Sequence, residues 1–157
     1  GDKYEFHDTK LGKHIIHARH AVAIDERRKV FDVTRMDPPS SPTTDHTLKE
    51  VWFPGTHGCV GGGERQVRGL ADGALLWMIA QASDLGLEFD EEIVDRFTDT
   101  DSLIPFDDRT NFRHWITRQE ADRIGPDDIA SVSKSAQERW DALPEYRPKT
   151  LKTIDPF

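Results

Sequence analysis

A short apolar run stops at a proline and a glycine, then gives way to a histidine, three glycines and a long helical repeat. This succession constrains the chain more than any other feature. The residues are EVWFPGTHGCVGGGE, from Glu50 to Glu64. The stretch LKEVWFPG (48–55) predicts a short strand ended by Pro54, with Val51, Trp52 and Phe53 all buried in a sheet covered on both faces. QVRGLADGALLWMIAQASDLGL (66–87) predicts a helix. Leu70, Ala74, Leu75, Met78 and Ala82 form its apolar stripe, and Gly86 suits the terminating position. Strand, glycine corner and helix in that order point to an α/β architecture with few strands flanked by helices.

The remaining segments give weaker signals. FHDTKLGKHIIHARHAVAIDERRKVF (6–31) predicts a helix capped by Asp8 or Thr9, with Leu11, Ile15, Ala18 and Val22 at three-to-four spacing. On such a helix His14, His17 and His20 would share one side. A metal site would need a further ligand from elsewhere, so a solvated or partly packed histidine face is the preferred reading. MDPPSSPTTDHT (36–47) predicts an exposed loop, and DEEIVDRF (90–97) a short helix. Residues 98–115 read as irregular, with a strand near Ile104 to Phe106. PDDIASVSKSAQERWDAL (126–143) predicts a helix opened by Pro126 and two acids, and PEYRPKTLKTIDPF an extended tail. No repeat or linker divides the 157 residues, so one domain is expected.

Composition excludes several functions. With 21 basic against 29 acidic residues the net charge is −8, which opposes nonspecific nucleic-acid binding and a polybasic membrane patch. One cysteine allows no internal disulfide. The longest apolar run, within GALLWMIAQA, is far short of the roughly 20 residues that span a bilayer. No charged-then-apolar segment opens the chain, so no signal peptide is expected. At 36% hydrophobic and 32% charged residues the core is expected to be thin.

Three chemistries compete for the loop at residues 54–64. Gly61, Gly62 and Gly63 allow close backbone approach, but a phosphate-binding P-loop would place lysine where Glu64 stands. The dinucleotide fingerprint is not matched either. His57 and Cys59 lie two residues apart, and in an extended segment they would point the same way as a base–nucleophile pair. That pair has no orienting group or oxyanion hole in the sequence, and a structural zinc through the same residues is weaker still. The third reading takes His57 as the triad histidine of an α/β hydrolase, which sits on a loop beyond the carboxyl end of a strand and precedes a helix. A histidine that only hydrogen-bonds within a tight turn has the same layout.

Five ordered blocks add a resemblance. YEFHDTKL (4–11), ARHAVAIDERRKVF (18–31), EVWFPGTHGCVGGG (50–63), LADGALLWMIAQASDLGLEF (70–89) and SVSKSAQERW…YRPKTL (131–151) resemble blocks of one family. It is the α/β-hydrolase-like domain family that includes the type VI secretion phospholipase effectors. The resemblance implies a Ser–Asp–His triad. The serine would lie in a Gly-Phe-Ser-Arg-Gly-type elbow and the aspartate in a Phe-Asp-Thr-Val-type strand end, both upstream of Tyr4. Neither motif occurs in this sequence, whereas the histidine carries over onto His57. The chain therefore resembles the C-terminal portion of an α/β-hydrolase-like fold, a single partial domain over 1–157. Within the motif, Gly58 and Cys59 replace the family's Ser-Asp, and a thiol accepts backbone N–H bonds poorly. Glu64 stands where an aromatic is more usual.

The resemblance implies a lipid or phospholipid ester as substrate, no cofactor, and no triad chemistry in the chain alone. It also implies residence in the cytoplasm of the producing cell, or secretion as an effector. A parallel sheet lacking its central strands would leave open edges, so self-association or pairing with the missing half is expected. In AIDERR (23–28) a salt-bridged helix end is preferred over charges that close the active-site entrance or replace the triad acid. The rival reading from another class is a non-catalytic binding or scaffold module, or a degenerate hydrolase, with the glycine loop purely structural.

Overall fold

The computed structural model of the chain describes residues 9–63, 65–97, 99–107 and 120–154. Asp8, Glu64, residues 108–115 of the expected irregular segment and the tail's last three residues lie outside these. At the centre are two parallel strands, β1 (His17–Ala23) and β2 (Thr47–Phe53), in register from His17 opposite Thr47 to Ala23 opposite Phe53. The short helix α1 (His57–Gly61) follows β2, then α2 (Arg68–Ser83) and α3 (Glu91–Val94). A last helix, α4 (Lys134–Ala142), precedes a 3-10 turn at Lys149–Leu151. The architecture is mixed α/β, with a small parallel sheet and flanking helices.

Both faces of the sheet are covered, as parallel strands require. Val22, Ile24 and Trp52 point to one face and pack with Val132, Ala136, Leu151 and Ile154. Trp52 is fully buried at the middle of this cluster. On the other face Phe53 meets Trp77 of α2 at 5.7 Å between ring centroids. A second cluster lies beyond the strand end, where Cys59, Val67 and Leu70 pack with Ile104 and Phe106. Of the three strand residues expected inside, Trp52 and Phe53 are buried and Val51 is half-buried.

The helix expected over residues 6–31 is not formed among its described residues; its centre is β1. The short run Ala21–Ile24 fits either period, and β-branched Val22 and Ile24 settle into a sheet buried on both sides. His14, His17 and His20 consequently share no helical side. Successive strand residues face opposite ways, so His17 and His20 separate. His17 bonds Thr47 Oγ1 at 2.8 Å, and His20 meets Glu50 at 3.1 Å. Among the described residues no group of three His, Cys, Asp or Glu could hold a metal ion.

The helix at 66–87 is α2, ended as its glycine implies. Gly86 has φ +92°, its N–H donates to Ser83 and the next N–H reaches Ala82. That is the paired bonding of a Schellman end. Asp90 caps α3 through the N–H of Ile93. No strand forms at Ile104–Phe106, which is irregular and buries its side chains against the second cluster. The helix expected from Pro126 starts later. A 3-10 turn at Ile129–Ser131 comes first, and α4 begins only after Ser133, whose hydroxyl caps the N–H of Ala136. Ser133→Ala is expected to cost about 1 kcal/mol in urea denaturation, since it frees one buried helical N–H. The tail is not simply extended, for its turn buries Leu151 completely.

Candidate functional site

Two loops leave the carboxyl ends of β1 and β2 side by side and are laced together. The ladder runs past the sheet: Ile24 N donates to Phe53 O at 2.9 Å, and Asp25 N to Gly55 O at 3.0 Å. Side chains then continue it. Asp25 Oδ2 accepts the Gly55 N–H at 2.7 Å and the Tyr146 hydroxyl at 2.8 Å. Glu26 Oε2 accepts the backbone N–H of His57 at 3.2 Å. The AIDERR acids therefore do not sit on a helix end. They follow a strand, point inward and fix the backbone of the histidine corner.

Glu26 is the stronger of these anchors. It is only 2% exposed. Its Oε1 takes the Arg28 N–H and Nε–H, both at 2.8 Å, and its Oε2 takes the Arg28 NH2 group at 2.6 Å. Burial alone would raise the carboxyl's pKa. The Arg28 side chain, then the Arg28 and His57 amides, outweigh burial and hold it at about 2, against 4.5 for a free glutamate. A carboxylate so saturated has no lone pair left for a catalytic ring.

His57 opens α1, four residues past the end of β2. Gly55 makes the corner, with φ +112°. The imidazole stacks on Phe31 at 4.9 Å and 19°, and the Arg28 guanidinium lies over the Phe31 ring, 4.3 Å from its centroid. Arg28 and His57 both contact the Phe31 ring, and Glu26 holds the Arg28 side chain and the His57 backbone. The histidine is exposed and faces a cleft of ≈ 470 Å³ that Phe31, Asp32, Val60 and Arg123 also line. Among the described residues no side chain hydrogen-bonds its ring.

Cys59 points elsewhere. Residues two apart on a helix lie about 200° apart around its axis, so α1 sends the thiol inward while the imidazole faces the cleft. Cys59 is 2% exposed, packs with Val67 and Leu70, and contacts the Thr56 hydroxyl at 3.3 Å. A His57–Cys59 catalytic pair is excluded by this geometry. Of the three glycines, only Gly62 adopts a positive φ, +83°, and it ends α1. Gly61 borders the cleft instead.

Three contributors were not singled out from the sequence. The sequence pattern puts Phe31 at the end of a helix that is not formed among its described residues. Arg123 is nearly buried, donating to the carbonyls of Ala23 and Phe31, and burial lowers its pKa. Tyr146 ties the tail to Asp25. The available signal was the apolar AVAI run ending directly in two acids, a pattern of strand ends.

No curated protein and no solved structure matches the chain. A family model does match, described as "T6SS, Phospholipase effector Tle1-like, catalytic domain", over residues 1–81. That span includes β1, the AIDERR acids, β2, the His57 corner and most of α2. It covers more than half of the 157 residues, and the chain belongs to the family of Tle1-like type VI secretion phospholipase effector catalytic domains.

Proposed function

We propose that this chain forms part of a serine ester hydrolase acting on phospholipids, with His57 as its general base. One observation carries the reading. The only histidine at the carboxyl end of the described sheet is held by its own backbone N–H and by ring stacking, while its imidazole edge stays free toward a cleft. In this mechanism the imidazole takes the proton of a serine hydroxyl as that oxygen attacks the ester carbonyl, and later returns a proton to the leaving alcohol. An aspartate holds the ring's other nitrogen, and backbone N–H groups stabilise the oxyanion. Glu26 is not that aspartate, because its bonds are already made to Arg28 and to the His57 main chain.

The sequence contains no Gly-X-Ser-X-Gly elbow. In this reading the serine and the orienting aspartate come from polypeptide beyond these residues, and 1–157 is a partial α/β-hydrolase-like domain. Delivery as a type VI secretion effector follows from the family, with the producing cell's cytoplasm as the starting point. Among the described residues no helix is long and apolar enough to cross a membrane.

The 157-residue chain alone is expected to hydrolyse no p-nitrophenyl ester above the buffer rate. Turnover that disappears in His57→Ala would show that the nucleophile lies within the chain. Combined with a segment bearing the elbow serine, the chain is expected to cleave phospholipid vesicles. His57→Ala should then lower kcat by at least about 10²-fold. An unchanged kcat in that variant removes His57 from the mechanism.

A further inference from the structure

Two arginines are nearly buried, and their surroundings differ. Arg139, 6% exposed, donates to the carbonyls of Ser102 and Ile104 at 2.7 and 2.9 Å. Its guanidinium also lies 4.7 Å from the ring centroid of Phe106 and 4.9 Å from that of Tyr146, so two aromatic faces meet its charge. Arg123 is 9% exposed and donates to the carbonyl of Ala23, at 2.6 Å, and to that of Phe31. Among the described residues no ring covers it and no carboxylate forms a salt bridge with it. Glu26 and Asp32 act on it only from a distance, and Glu26 is already committed to Arg28 and the His57 backbone.

A guanidinium carries five N–H donors in one plane. Two of them are spent on carbonyls, and Nε is buried without a partner. The carbonyls belong to the end of β1 and to the 3-10 turn Lys29–Phe31, so they fix the group in place without neutralising it. Buried charges are ordinarily paired. For Arg123 the counter-charge is lacking, and the residue lines the ≈ 470 Å³ cleft that His57 faces. Ligand clefts commonly measure about 300–1,000 Å³. The other polar groups of the wall do not supply the missing charge. His20 is engaged by Glu50 at 3.1 Å. Asp32, the one carboxylate among the described lining residues, is exposed and accepts the Val33 N–H at 2.8 Å. Water screens an exposed carboxylate far more than a buried guanidinium, which leaves Arg123 the stronger charge in the cleft.

We propose that Arg123 binds the phosphate group of the substrate phospholipid and so seats its headgroup beside His57. A planar guanidinium held at a fixed angle matches two phosphate oxygens better than a mobile ammonium does. In a glycerophospholipid only glycerol carbons separate the phosphate from the nearest ester, so one cleft holds both. The choice of a lipid as the source of the phosphate rests on the reading of His57 as the base of a phospholipid hydrolase. The phosphate contact itself rests on Arg123.

The test measures binding to the whole chain by isothermal titration calorimetry, with each lipid kept below its micelle concentration. Dihexanoylphosphatidylglycerol is expected to bind saturably. Dihexanoylglycerol keeps both esters and both acyl chains but lacks the phosphate, and should bind at least about tenfold more weakly, as should inorganic phosphate. Arg123→Gln should reduce the phospholipid to the level of dihexanoylglycerol, and Arg123→Lys, which keeps the charge, should recover part of the loss. Circular dichroism checks the fold of both variants. Should Arg123→Gln fail to fold, the comparison of ligands on the wild-type chain still decides. Equal binding with and without the phosphate, no saturable binding of the phospholipid, or full affinity in folded Arg123→Gln overturns the proposal. Inorganic phosphate binding as tightly as the phospholipid overturns it too, since the site would then serve free phosphate. His57→Ala should leave all these affinities unchanged, so a failure of the catalytic reading shows in turnover and not in binding.

Discussion

Gly55→Ala is expected to destabilise the chain by about 3 kcal/mol or more, read as a lower urea midpoint at an unchanged slope. Two independent costs combine. The first is conformational: φ at Gly55 is +112°, where an L side chain collides with its own backbone, at about 1–3 kcal/mol. The second is steric. A Cβ built there lies 2.5 Å from Cβ of Cys59, a buried atom of a helix and not the tip of a flexible side chain. Overpacking of that kind costs about 1–3 kcal/mol more. Together they remove a large share of the 5–15 kcal/mol typical of a domain.

Gly62 separates the two costs. Its φ is +83°, but the nearest atom to an added Cβ is 3.9 Å away. Gly62→Ala should therefore lose only about 1–2 kcal/mol, from backbone strain alone. Equal losses at Gly55 and Gly62 would mean that the contact with Cys59 does not constrain the corner. The comparison also explains the glycine-rich spelling of this stretch. One glycine turns the chain tightly enough for the thiol to pack beneath it, and another ends the five-residue helix that carries the imidazole.

How much of this was legible depended on how far each element's partner lies along the chain. β2 and α2 were legible because their apolar residues repeat locally and their ends carry Pro54 and Gly86. The placement of His57 beyond a strand followed from the same local spelling. β1 was not legible. Its apolar run is four residues, shorter than the window that separates the two periods, and Leu11, Ile15, Ala18 and Val22 imitate a helix by coincidence. Only its partner, 30 residues on, decides the matter. The same error hid Glu26 and Phe31, since an acid pair on a supposed helix end reads as surface charge. It also made Cys59 look like a partner for His57, because two-residue spacing aligns side chains in a strand and opposes them in a helix. The pattern predicts α4 too early for a local reason: Pro126 and its two acids precede a 3-10 turn, whereas the cap that starts the helix is Ser133.

Glu26→Gln is expected to cost about 3 kcal/mol at neutral pH and to flatten the acid limb of the stability profile. The variant keeps the side chain's shape but removes its charge, leaving the Arg28 guanidinium beside a neutral amide. Breaking a buried pair from one side typically costs about 3–5 kcal/mol. The pH dependence gives the same scale independently. The Glu26 carboxyl is held at about 2 when folded, against 4.5 when free, and each pKa unit corresponds to about 1.4 kcal/mol. A depressed folded pKa means the unfolded chain binds the proton first. The stability that Glu26 contributes is thus fully present above about pH 4.5, and is lost as pH falls toward 2. Glu50 shifts in the same direction, so the wild-type profile alone does not isolate Glu26. The difference between wild type and Glu26→Gln does. It should be constant from pH 7 to 5 and shrink steadily between 4.5 and 2. A difference that stays constant down to pH 2 would show that the Glu26 charge is not what holds Arg28 and the His57 backbone together. Because the same carboxylate holds both the Arg28 side chain and the His57 backbone, the variant should also lower kcat of the assembled hydrolase more than it raises KM. A loss confined to KM would place Glu26 in substrate binding and not in holding the base.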